Sequence, residues 1–202
     1  MIYFTSDLHF HHNNILNFGS RPYNNISDND NSLIKNWNNT ISKNDKVYIL
    51  GDFKFSNLIS AEDILTKLNG EKHFILGNHD NSSELIKLVG KGIIKTLDIY
   101  REELMYIDNT EIRVIMAHYP ILEYNYVWQE NTLHLYGHVH ENGKQYDLLF
   151  EKLGFKAYNV GVDCNNFFPI SLNDIWNKMK NRTPNRVFQT QPEKLFEGET
   201  KC

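Results

Sequence analysis

The chain lacks what a secreted scaffold or a membrane protein would need. Its two cysteines, Cys164 and Cys202, cannot build a disulfide framework, so reduced thiols in a cytosolic protein are the expected state. No apolar run approaches the roughly 20 residues that cross a bilayer. The N-terminus enters a strand-like segment directly, without a basic region or cleavage site before it. A soluble, cytoplasmic protein is expected. An excess of positive charge is also missing. The formal net charge is -4, which gives no global field for long nucleic acid. An anionic ligand would need local positive charge, and bound cations are one source of it. There is no internal repeat. Residues 181–202 are polar and aperiodic, and read as an extended or poorly ordered tail after a single domain over residues 1–180.

What is present is a series of short apolar runs. They cover residues 2–5, 47–50, 73–76, 112–117 and 133–136 and are rich in Ile, Val, Leu, Tyr and Phe. Runs of that length predict strands, and their near-continuous hydrophobicity predicts sheets covered on both faces. Helical signals lie between them. Ser27 with Asp30 precedes Leu33, Ile34, Trp37 and Ile41. Ser60 with Asp63 precedes Ile64, Leu65 and Leu68, with Gly70 as a stop. Residues 85–89 form a shorter candidate, and Ser171 with Asp174 precedes Ile175, Trp176 and Met179. Residues 93–117 read as three strands, with a hairpin turn at Asp108-Asn109-Thr110. Early strand–helix alternation followed by hairpins indicates an α/β layered domain with mixed sheets.

Each of the five runs ends in residues able to bind a metal: Asp7 and His9, Asp52, Asn78 and His79, His118, and His138 and His140. Residues just past a strand lie at its carboxyl end, the edge where α/β sheets gather ligands. These side chains are therefore expected to converge despite their separation in sequence. Imidazole and carboxylate together suit Mn, Fe, Zn or Ni, and Mn is taken first. Asp52 is the natural carboxylate to bridge two cations. No thiolate lies close by in sequence, which argues against a structural Cys-type zinc site.

The ordered set Asp7-Leu8-His9, Gly51-Asp52, Gly77-Asn78-His79-Asp80, His118 and Gly137-His138-Val139-His140 resembles the calcineurin-like metallophosphoesterase superfamily. The stretch 6–15, Arg21-Pro22, Ala117-His118-Tyr119-Pro120 and Asn159-Val160-Gly161-Val162-Asp163 are similar to a narrower group of small bacterial and phage phosphoesterases. The resemblance implies a four-layer α-β-β-α sandwich. It implies a first divalent metal on Asp7, His9, Asp52 and His140, and a second on Asp52, Asn78, His118 and His138. The reaction implied is hydrolysis of phosphomonoesters or phosphodiesters by a hydroxide shared between the metals. His79 would protonate the leaving group or steady the transition state.

Asp80 is expected either to orient His79 through a hydrogen bond or to serve as a turn residue. His12, Asn14 and Arg21 are expected to line the cleft, with Arg21 either gripping a phosphate oxygen or lying on the surface beside Pro22. His11 is read as solvent-facing. Tyr119, Tyr124, Tyr126 and Trp128 are expected either to stack on an aromatic leaving group or to pack a loop. Asp163 reads as a structural hydrogen-bond partner. The partner expected is a small phosphorylated substrate. A nucleotide-directed phosphodiesterase is the rival enzyme, and a binding protein that kept the fold is the rival from another class.

Overall fold

A computed structural model describes residues 1–18, 21–55 and 58–196; Cys202 lies outside the described residues. Helices and two mixed sheets alternate as an α/β protein. β1 (Ile2–Thr5), β2 (Lys46–Leu50), β3 (Glu71–Ile75) and β4 (Thr96–Asp98) run parallel, and β9 (Ile170–Ser171) pairs antiparallel with β1, in the order β4-β3-β2-β1-β9. The second sheet has the order β5-β6-β7-β8, from β5 (Tyr100–Ile107), β6 (Thr110–Ala117), β7 (Thr132–Tyr136) and β8 (Lys156–Asn159). There β5 is antiparallel to β6, and β6, β7 and β8 are parallel.

Alternation along the strands explains the unbroken apolar runs. In β2, Val47 and Ile49 face one apolar cluster, while Tyr48 and Leu50 face another. The first cluster packs the helices α2 (Ile26–Thr40), α3 (Ala61–Leu65) and α4 (Ser82–Gly90) on the first sheet through Leu33, Trp37, Ile64 and Leu85. The second joins the two sheets: Phe4, Tyr48 and Ile75 meet Ile112, Val114, Leu133 and Leu135. Leu172, Ile175 and Met179 of α6 (Leu172–Met179) join it. A third cluster lies on the other face of the second sheet, where Tyr136 and Ala157 meet Phe150 and Leu153 of α5 (Lys144–Leu153). With one cluster on each outer face and one between, every central strand is apolar on both sides.

The helix caps follow the predicted chemistry in two cases. Ser60 Oγ accepts from the Asp63 N–H at 3.1 Å, and Ser171 Oγ accepts from the Asp174 N–H at 3.1 Å. The third expected cap is displaced. α2 is capped by Asn25, whose Oδ1 accepts from the Asp28 N–H at 2.9 Å, so Ser27 sits inside the first turn. Asn and Ser are nearly equal as N-caps, and sequence alone does not choose between neighbours. Residues 181–196 are also more structured than an extended arm. Asn185 caps α7 (Arg186–Thr190) and donates its N–H to the Leu153 carbonyl at 2.8 Å, and Phe188 and Leu195 pack on the third cluster. Two anchoring apolar residues in a polar stretch leave too weak a period to read. The early turn after β1 holds a further short helix, α1 (Ile15–Phe18).

Leu135 is fully buried between the sheets. Leu135→Ala is expected to lower stability by about 2–5 kcal/mol, through lost transfer energy plus the cavity left behind. Urea unfolding should show a lower midpoint with an unchanged slope.

Candidate metal centre

The carboxyl ends of β1, β2, β3, β6 and β7 lie at one edge of the two sheets, and the predicted ligands meet there. Among the described residues two groups of donor atoms stand close enough to share a cation: Asp7, His9 and His140, and Asp52, His118 and His138, each within 4.8 Å of one another. Asp52 connects them. Its Oδ2 lies 3.6 Å from His9 Nε2 and 3.5 Å from His118 Nε2. Asn78 Oδ1 is 3.1 Å from His118 Nε2. Thus Asp7, His9, Asp52, Asn78, His118, His138 and His140 are all brought together.

The loops that do this are strained. Asp7, His9, Asp52, His138 and His140 have φ of 56°, 49°, 54°, 70° and 49°, in the left-handed region. Each such residue costs roughly 1–3 kcal/mol and persists where its surroundings over-determine it. Two glycines make the close approach possible. A Cβ on Gly77 would lie 2.3 Å from Asp52 Oδ1, and one on Gly137 would lie 2.5 Å from Asp7 Oδ2 and 2.2 Å from Ser6 Oγ. Each glycine in front of one ligand therefore leaves room for a carboxylate from another loop.

Electrostatics fit a cation. Both ring nitrogens of His9 are buried without a hydrogen-bond partner, a state that buried polar atoms rarely keep. Burial pushes the His9 pKa down to about 3, which leaves a neutral imidazole with a free lone pair. Burial also raises the carboxyl of Asp7. For Asp52 burial pushes upward too, but His118, the His79 N–H and His9 outweigh it and hold the carboxyl down at about 2. His118 Nδ1 donates to the Leu50 carbonyl at 2.8 Å, so Nε2 faces Asn78 Oδ1 and Asp52 Oδ2. A proton or a cation is required among those three acceptors. His140 Nδ1 lies 2.5 Å from Asp163 Oδ2, which likewise turns Nε2 toward Asp7, 3.9 Å away. Such outer partners fix the tautomer and aim the ligating nitrogen.

Several predicted roles are corrected. Asp80 spends its carboxylate on the backbone N–H groups of Asp52, Phe53 and Gly77, at 3.0, 2.9 and 2.8 Å, and so ties the loops after β2 and β3 together rather than orienting His79. Arg21 neither grips a substrate nor lies on the surface. It is 5% exposed; its Nε and Nη2 bond the Asp163 carboxylate at 2.8 and 3.3 Å, Nη1 bonds the Leu8 carbonyl at 3.0 Å and Nη2 the Asp7 carbonyl at 2.7 Å. A guanidinium satisfied on so many sides has no edge left for phosphate. Asn14 is exposed in the turn before α1, where its carbonyl accepts from the Asn17 N–H at 2.9 Å. His11 is half-buried, with Nδ1 2.7 Å from Asp30 Oδ2.

Of the four aromatic candidates, Tyr119 flanks the site, its ring 4.6 Å from that of His138. Tyr124 and Trp128 pack on Phe155, and Tyr126 lies under the Arg113 guanidinium at 4.1 Å. His12 is at the site, 5.3 Å ring to ring from His9. His79 is exposed beside His9 at 5.6 Å, and its backbone N–H donates to Asp52 Oδ1 at 3.0 Å. Asp163 is a hydrogen-bond partner, as expected. Phe55, whose ring stacks on that of His12 at 3.9 Å, went unforeseen because a lone aromatic three residues past Gly-Asp carries no pattern.

Fold and site together define an α/β protein with a candidate paired His/Asp centre at the carboxyl edge of its sheets. The chain belongs to the family of the uncharacterized protein MJ1445 of Methanocaldococcus jannaschii, with 33% identity over 174 residues covering 85% of this chain and 86% of that protein. It is also similar to the Gene 66 protein of Mycobacterium phage L5, with 26% identity over 183 residues, covering 80% of this chain and 86% of the phage protein. A crystal structure of AQ665 from Aquifex aeolicus, titled a protein of unknown function, matches with a TM-score of 0.65 and 26% identity, over 88% of this chain and 98% of that one. No protein-family model matches the chain. Among the described residues no helix is long and apolar enough to cross a membrane.

Arg21→Leu is expected to destabilise the protein by about 3–5 kcal/mol, because the Asp163 charge would stay buried without its partner. Urea unfolding measures this; an arginine reserved for substrate would leave the midpoint where it is.

Proposed function

We propose that the chain is a dinuclear metal-dependent phosphoric ester hydrolase of the calcineurin-like metallophosphoesterase type, folded as a four-layer α-β-β-α sandwich. The observation that carries this reading is the position of Asp52 Oδ2, 3.6 Å from His9 Nε2 and 3.5 Å from His118 Nε2. Standing between imidazoles from two sheets, the Asp52 carboxylate would help to hold both cations. Asp7, His9, Asp52 and His140 would hold the first, and Asp52, Asn78, His118 and His138 the second. The donor set of imidazole, carboxylate and amide oxygen suits Mn first, and also Fe, Zn or Ni.

When bound, such a pair supplies Lewis-acid activation of water and neutralises charge on the phosphoryl oxygens. The chain's own groups do the rest. The Leu50 carbonyl and Asp163 set the tautomers of His118 and His140. Asp80 and Arg21 hold the ligand-bearing loops in register. His79 is exposed next to His9 while its backbone is fixed on Asp52, so its ring is free to pass a proton to the departing ester oxygen. We place this activity in the cytoplasm, where Cys164 would stay reduced.

Turnover of bis-p-nitrophenyl phosphate and p-nitrophenyl phosphate by Mn-loaded and chelator-treated protein tests the reading. Metal-dependent hydrolysis is expected, and no turnover with any of the four metals would overturn it. Asp52→Asn should abolish hydrolysis and lower bound Mn by elemental analysis. His79→Ala should keep its Mn while kcat falls by roughly 10²–10⁴-fold; a parallel loss of metal would make His79 a ligand instead. Mn at 100 times its Kd should add about 2.7 kcal/mol of stability for each site it fills, read as a higher Tm.

A further inference from the structure

On the His9 side of the centre the protein keeps a phenylalanine in solvent. Phe53 is buried against Phe10 and Phe74, but Phe55, two residues on, is 48% exposed and belongs to none of the three apolar clusters. Its backbone is held, with its N–H donating to the Phe10 carbonyl at 3.1 Å. Its ring is held as well. It stacks on His12 at 3.9 Å with 13° between the planes, and lies 5.1 Å from His79. His12 and His79 are in turn 5.3 and 5.6 Å from His9. Phe55 is therefore the outer member of ring contacts that start at a candidate ligand. Single exposed apolar residues are ordinary; this one is fixed in orientation beside the proposed proton donor.

We infer that Phe55, backed by His12, is the platform for a flat ring on the leaving arm of the substrate, which makes the substrate class nucleoside phosphate esters rather than sugar or polyol phosphates. The inference rests on the phosphoesterase reading above. Position decides between ring types. The ring contacts of Phe55 run to His12 and His79, which in turn contact the candidate ligand His9, so a base set off from the phosphate by a sugar would meet the platform, whereas the ring of a simple aryl ester would lie nearer His79. The reaction balances as hydrolysis: the P–O bond to the nucleoside breaks, phosphorus gains the hydroxyl of water, the nucleoside oxygen leaves with a proton from His79, and the proton that water gives up restores His79. Stacking of a base on an aromatic side chain is sequence-tolerant, so the platform selects for a base without dictating which one.

The test compares AMP with ribose phosphate, which share sugar and phosphate and differ in the base. Each competes against bis-p-nitrophenyl phosphate turnover by the Mn-loaded protein. AMP is expected to inhibit roughly tenfold more tightly than ribose phosphate, a gap of about 1.4 kcal/mol within the range for one stacked base. Phe55→Leu should close that gap and Phe55→Trp should keep it. Saturation-transfer NMR should show magnetisation reaching the AMP base protons in the native protein and in Phe55→Trp, and lost in Phe55→Leu. Equal inhibition by the two compounds, or a gap that survives Phe55→Leu, would overturn the platform while reporter turnover left the phosphoesterase reading standing. Absence of any reporter turnover would instead remove that reading, and this inference with it.

Discussion

Asp7 and Asp52 place two carboxylates in the interior of the molecule, one 0% and the other 2% exposed. Burying a charge is unfavourable unless it is paired and hydrogen-bonded, and the surrounding structure answers that requirement. The Ser6 hydroxyl and the His138 N–H reach Asp7 at 2.6 and 3.0 Å, and the His79 N–H reaches Asp52 at 3.0 Å. Glycines stand where a Cβ would collide with those oxygens. The left-handed backbone at five of the seven predicted ligands lets loops from both sheets close on one point. Under the proposed function a pair of cations balances what remains.

A shell of charged residues serves this arrangement without facing the solvent. Arg21 fastens the loop after β1 to Asp163, which follows β8, and Asp163 in turn aims His140. Asp80 joins the loops after β2 and β3. Asn159 donates to the His140 carbonyl at 3.0 Å and accepts from the Gly161 N–H at 2.9 Å, which holds the end of the site against β8. Hydrogen bonds of this kind act on ligand direction more than on affinity for substrate, since small errors in ligand placement propagate to the reacting atoms. Phe55 and Tyr119, half-exposed at opposite ends of the ligand set, are left to meet what comes from solvent.

The strands that carry the ligands were legible because buried parallel strands are apolar on both faces, and each ended in a recognisable ligand. β8 and β9 were not. Lys156–Asn159 is short and opens on a lysine, and Ile170–Ser171 has two residues, so neither offers a period. α5 was missed for a related reason: Gly143 precedes it without a side-chain cap, and only Phe150 and Leu153 are buried. The role of Arg21 was misread, and that of Asp80 left open between orienting His79 and serving as a turn residue, because motif order says that a polar residue is near a site, but not whether its hydrogen-bonding groups are already taken.

Sequence by itself determined the strand-forming runs, the ligand types at their ends and their order, since these depend on local hydrophobic period and residue chemistry. Tertiary structure decided which polar groups remained available. Arg21 is enclosed and Phe55 left open because hydrogen-bond partners such as Asp163, and stacking partners such as His12, come from loops far apart or turned by the fold. Availability is a property of packing around a point in space, and a linear pattern holds no distances across it.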